Sequence, residues 1–139
     1  MTNPPRQPDP PPANQSTSWT LPPAPHASAL ARDHLRRHAA HLDPEVLAAA
    51  LIATSELIAN AVQHGQPEIT LGITVEASAL RVVVTDTGPD LPITNAQPPP
   101  PDSAHGRGLF IVHSLVSAWG VQQLEHGHGK TVWFQMALA

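Results

Sequence analysis

The sequence contains no cysteine, which excludes disulfide cross-links and thiolate zinc sites. Basic residues are scarce. Seven Lys and Arg stand against eleven Asp and Glu, and the net charge is −4 with the nine histidines neutral. A nucleic-acid binder normally carries a basic patch or stripe, so this balance argues against one. No apolar run of membrane-spanning length stands out, and no charged start followed by an apolar stretch marks a signal peptide. A cytoplasmic protein without membrane contact is the expectation. Aromatic residues make up only 4%. The core must therefore come from the Ala, Leu and Val that dominate a hydrophobic share of 41%. A chain of 139 residues suits one domain around one core.

Proline is plentiful at the start. Residues 1–18 are rich in Pro, Gln, Asn and Ser and nearly free of large apolar side chains. Such a segment cannot offset its own ordering entropy, so a disordered tail is expected. The Pro8-to-Pro12 stretch also admits a docking role. The domain then runs from 19 to 139. Ser18 to Leu21 reads as a short edge strand, stopped by Pro22 and Pro23. Ser28 to Leu42 reads as a helix with Leu30, His34 or Leu35, and Leu42 on its apolar side. Asp43 and Pro44 open a second helix as N-cap and first helical residue. It should run to about His64, with Gly65 as its C-terminal stop.

Alternating apolar residues predict a strand from Glu68 to Glu76. The unbroken run Val82, Val83, Val84 predicts a central strand from Leu80 to Thr85. From Gly88 to His105 the chain is proline-rich without periodicity. A stretch of that length inside a compact domain reads as a lid or binding loop. A third helix should begin near Gly108 and end by Trp119 and Gly120. Val121 to Glu125 and Lys130 to Leu138 read as two closing strands around a glycine-rich turn. Adjacent strands on short turns predict an α+β two-layer sandwich, with a mixed, mostly antiparallel sheet and helices on one face.

Four short pieces carry chemistry. Glu56 and Asn60 are four residues apart on one helix face. Asn is a poor helix-interior residue, so its place among aliphatic neighbours is notable. Its side-chain oxygen can ligate Mg²⁺, and the nearby Glu can orient or deprotonate a hydroxyl. Asp86-Thr87-Gly88-Pro89 ends an apolar strand. There the carboxylate can accept from an adenine amino group, and Gly88 lets a base approach; the same residues are also ordinary turn chemistry. His105-Gly106-Arg107-Gly108-Leu109 leads into an apolar helix, whose free N–H groups suit phosphate. A hinge before a core helix would look the same. Thr131, beginning a strand after Gly129 and Lys130, can place a hydroxyl near a base or simply favour a strand. Histidines 34, 38 and 41 on one helix suggest zinc, but no completing ligand is evident and a solvated face is favoured.

In this order the four pieces resemble the histidine-kinase-like ATPase superfamily, with the Bergerat-type fold. Residues 55–65, Ser-Glu-Leu-Ile-Ala-Asn-Ala-Val-Gln-His-Gly, look like its N box. Asp86-Thr87-Gly88 and Gly106-Arg107-Gly108-Leu109 look like its glycine boxes, and Gly129-Lys130-Thr131 like its closing strand motif. Within the superfamily, the small size and the Asn-Ala-x-x-His-Gly ending resemble stand-alone anti-sigma-factor serine/threonine kinases of actinobacteria. The resemblance implies binding of ATP and Mg²⁺. Asn60 would hold the metal, Asp86, Gly88 and Thr131 would meet the base, and Gly106, Arg107, Gly108 and Leu109 would wrap the phosphates. Glu56 would activate a hydroxyl on a STAS-type anti-anti-sigma protein, and a sigma factor would be a second partner. The rival reading is a non-catalytic, nucleotide-dependent protein-binding switch. Whether the first helix forms a homodimer is left open. One departure stands out: Asp90 occupies the position where the first glycine box carries a second glycine.

Overall fold

The structure is a computed structural model and describes residues 16–88, 107–124 and 129–138. The expectations for the proline-rich tail before Ser16, for the lid after Gly88 and for Gly106 lie outside the described residues. In chain order the elements are β1 (Ser16–Leu21), α1 (Ala27–His38), α2 (Pro44–His64), β2 (Ile69–Val75), β3 (Ala79–Asp86), α3 (Arg107–Leu115), β4 (Ala118–Gln123) and β5 (Lys130–Ala137).

The five strands form one sheet in the order β1-β2-β3-β5-β4, and each pairing is antiparallel. The sheet is thus antiparallel throughout rather than mixed. β3 is its centre, as the unbroken valine run implies. β1 is an edge strand, with Trp19 opposite Leu71. One face carries Ile69, Leu71, Ile73, Leu80, Val82, Val84, Val132 and Phe134, all buried, and the helices pack there. The opposite face places Arg81 over the Trp133 ring, 4.3 Å from its centroid.

α2 starts as its first residues dictate. Asp43 accepts from the Glu45 N–H at 2.8 Å, and Pro44 takes the first helical position. Ala50, Ala53, Leu57, Ile58 and Ala61 are its buried residues of apolar type. At 21 residues, with an 18-residue stretch of mean hydropathy 1.5, α2 is by length and composition long and apolar enough to cross a membrane, contrary to expectation. It carries Glu56 and Asn60 mid-helix, however, and packs against α1, α3 and the sheet as a core helix.

α1 differs from expectation. Its buried side is Ala27, Ala31 and Leu35, and Leu30 is 37% exposed. The helix also ends at His38, and Ala39 is buried just beyond it. Alanines let the α1 backbone come close to α2, and a larger side chain would hold the helices apart. Arg32 Nη1 donates to Ser55 Oγ at 2.9 Å, and Ser28 Oγ to the Ser55 carbonyl, tying the two helices together. The third helix stops at Leu115, so Trp119 and Gly120 belong to β4 rather than closing the helix. The Ser117 N–H already donates to the Gln135 carbonyl at 3.0 Å, and sheet pairing takes over there.

Candidate functional site

Asp86 ends β3 and is 2% exposed. A carboxylate so deeply buried needs partners. Its Oδ1 accepts from the Gly88 N–H at 2.7 Å, from the Gln66 N–H at 3.3 Å and from Lys130 Nζ at 3.0 Å. All three donors meet the same oxygen. Lys130, the first residue of β5, is itself 1% exposed. Antiparallel register puts it directly opposite Asp86, so two strand ends 44 residues apart close a buried ion pair.

Two glycines make room for this carboxylate and a third for the Asp86 backbone. A Cβ on Gly65 would lie 2.5 Å from Asp86 Cγ and 2.6 Å from Oδ2. A Cβ on Gly88 would approach Oδ1 to 3.0 Å. Gly129 has φ +128°, and a Cβ there would run into the Asp86 carbonyl oxygen. Gly65 ends α2 as the sequence suggests, and its N–H bonds to the Ala61 carbonyl. Its backbone is extended rather than left-handed, at φ −95°. Glycine is needed there for space beside Asp86, not for conformational freedom.

Glu56 and Asn60 are half-buried on α2, and neither side chain makes a hydrogen bond or ion pair with another described residue. Burial pushes the Glu56 carboxyl above its ordinary value. Such a group is a better proton acceptor near neutral pH than an exposed glutamate. Arg107 and Gly108 open α3, with Leu109 4% exposed behind them, and α3 packs against α2. Asn60 and Glu56 on α2 and the start of α3 therefore belong to two packed helices, and the α2 C-terminus abuts Asp86.

Thr131 is not brought to Asp86. It is the neighbour of Lys130 in a strand, so it points to the other face, where its Oγ1 lies 3.2 Å from that of Thr85. Lys130 is the residue that sequence reasoning missed. The signal was an acid ending one strand and a base beginning another, and only their register connects them. The histidines of α1 serve ring packing: His34 stacks on Trp19 at 4.1 Å, and His38 meets the same ring edge-on.

A model of the histidine kinase-like ATPase domain matches residues 21–136, which takes in all three helices and β2 to β4 whole, nearly all of β5, and the last residue of β1. The chain belongs to this family of histidine kinase-like ATPase domains. No curated protein matches it. Among solved structures, it is similar to the crystal structure of the RsbU and RsbW domains of Rv1364c from Mycobacterium tuberculosis. The TM-score is 0.67 at 23% identity, and the likeness covers 88% of this chain and 32% of that one. The chain thus spans about a third of that longer protein, and the likeness is one of fold. In a histidine kinase-like ATPase domain, the glycine-lined carboxylate is a candidate base site, and α2 with α3 the candidate phosphate side.

Proposed function

We propose that this ATPase-family domain binds ATP with Mg²⁺ and transfers phosphate to a serine or threonine of a STAS-type protein, acting as an anti-sigma factor. The observation that carries the reading is the buried Asp86, ringed by Gly65, Gly88 and Gly129, at the foot of the helix that bears Glu56 and Asn60. A buried acceptor with glycines around it suits the amino edge of a flat base. Mg²⁺ takes oxygen donors, and the side-chain oxygens of Asn60 and Glu56 are unengaged by other described residues. The donor set therefore fits, with Asn60 as the ligand. When bound, the ion neutralises charge on the phosphate oxygens.

The protein's own groups supply the rest. Backbone N–H groups at the start of α3, from Arg107 to Leu109, would face the phosphates together with Gly106. Glu56, with its raised proton affinity, would take the proton of the attacking hydroxyl. The solved structure named above includes an RsbW domain, and the anti-sigma role is taken by analogy of fold.

A second reading has its own support. Asp90 stands where the first glycine box carries a second glycine, with Pro92 soon after it, and Lys130 already engages one oxygen of Asp86. These favour a switch that binds nucleotide and a protein partner without transfer. Titration calorimetry with ATP and Mg²⁺ tests what both readings share. Wild type is expected to bind, and Asn60→Ala to lose at least about tenfold in affinity, equivalent to about 1.4 kcal/mol, while keeping its melting temperature. Labelled ATP then separates them. Transfer to a STAS-type protein that Glu56→Ala abolishes, with binding spared, supports the kinase. Binding without transfer favours the switch, and no binding by wild type defeats both.

A further inference from the structure

If the domain holds a nucleotide as proposed above, the partners of Asp86 also govern which base it takes. Oδ1 is filled by two backbone N–H groups and the Lys130 ammonium. A further donor from a ligand has no place on that oxygen. Oδ2 lies against Gly65, which is half-buried, and none of the three donors meets it. A donor from a ligand would have to come to that oxygen. Lys130 is buried beside the carboxylate and is the cation that balances the charge of Asp86. Without Lys130, Asp86 loses the charged donor that fixes Oδ1 and, with it, which oxygen is turned toward Gly65.

We propose that Lys130 is a specificity-determining residue of the base site. By filling Oδ1, it holds Asp86 as an acceptor-only carboxylate whose Oδ2 selects a 6-amino purine and rejects a 6-oxo purine. A 6-oxo group turned toward Oδ2 sets acceptor against acceptor, and both oxygens lose their partner. Lys130 acts through Asp86 and is not a catalytic residue. Gly65 serves the same end, because a side chain there would cover Oδ2.

The test compares ATP with inosine triphosphate, whose base carries a 6-oxo group, by calorimetry on the full chain with Mg²⁺. Wild type is expected to favour ATP by about tenfold or more. Lys130→Arg should keep that preference, and Lys130→Met should narrow it to within about threefold, each shown to be folded by circular dichroism. A merely structural role for Lys130 would weaken both nucleotides alike and leave their ratio unchanged. A folded Lys130→Met that keeps the full preference overturns the proposal and leaves nucleotide binding standing, as does a wild type that binds both equally. If wild type binds neither nucleotide, the nucleotide reading itself fails and this proposal with it. If Lys130→Met does not fold, Asp86→Asn carries the test. Its amide can donate to a 6-oxo group, so the preference should shift toward inosine triphosphate, and an unshifted preference overturns the proposal.

Discussion

Gly65 shows how much one hydrogen can decide. The Cβ that alanine would add has no room, because Asp86 Cγ and Oδ2 already occupy the space. Either the α2 terminus or the carboxylate must shift, and the carboxylate is held by three donors. Gly65→Ala is expected to destabilise the fold by about 1–3 kcal/mol, the usual cost of overpacking. Urea unfolding of variant and wild type would measure it, and equal midpoints would mean that Asp86 yields easily. Glu56 makes a different prediction. Burial raises its carboxyl above the ordinary value of 4.5, so the folded state binds the proton more tightly than the unfolded state. As pH climbs from 4.5 through the raised value, the unfolded chain ionises first and stability falls. Glu56→Gln should therefore melt higher than wild type at neutral pH and equal to it well below 4.5. A Glu56→Gln variant that melts no higher at neutral pH would contradict this.

Between elements, β1 and α1 meet through rings. Trp19 lies flat against His34, with ring planes 17° apart, and His38 closes the side. Burial lowers the His34 pKa from 6.5, the neighbouring Arg37 and His38 lower it further, and Asp33 opposes them. The negative face of Trp19 would welcome a cation, but the net direction is toward neutral imidazole. The stability of this contact is thus complete above 6.5 and is lost as pH falls from there through the lowered value. The melting temperature of wild type should drop more between neutral and mildly acidic pH than that of His34→Gln. Parallel pH curves for the two would refute the assignment. α1 also shows where periodicity misleads. Leu30 looks like core by type but is 37% exposed, whereas Ala27 and Ala31 are fully buried. Hydrophobicity ranks side chains; close helix contact selects small ones.

For the molecule as a whole, β5 has an unusual burden. It lies between β3 and β4, so the last strand in the chain completes the sheet centre. Val132 and Phe134 put its inner face into the core, and Lys130 neutralises Asp86. Deleting residues 129–138 should abolish cooperative thermal unfolding, since two antiparallel pairings and the ion pair vanish together. A sharp calorimetric transition in the truncated chain would contradict that. By contrast, Leu57→Ala, in the middle of α2, should cost about 2–5 kcal/mol while leaving the transition cooperative.

Local chemistry was legible from residues alone. The Asp43-Pro44 start of α2, the valine run of the central strand and the glycine before each candidate contact are short-range signals, and neighbours in sequence settle them. Asn60 could be singled out because Asn is rare inside a helix without a reason. Tertiary structure decided whatever depends on register and on clearance. It turned Lys130 toward Asp86 and Thr131 away, because alternation in a strand sends adjacent side chains to opposite faces. It also gave Gly65 its purpose, since two of the three atoms that exclude a side chain there belong to a strand farther along the chain, the third being the Ala61 carbonyl oxygen. One-dimensional spacing carries helix faces and turns, but a site formed from two strand ends and a helix terminus exists only once the sheet has set their distances.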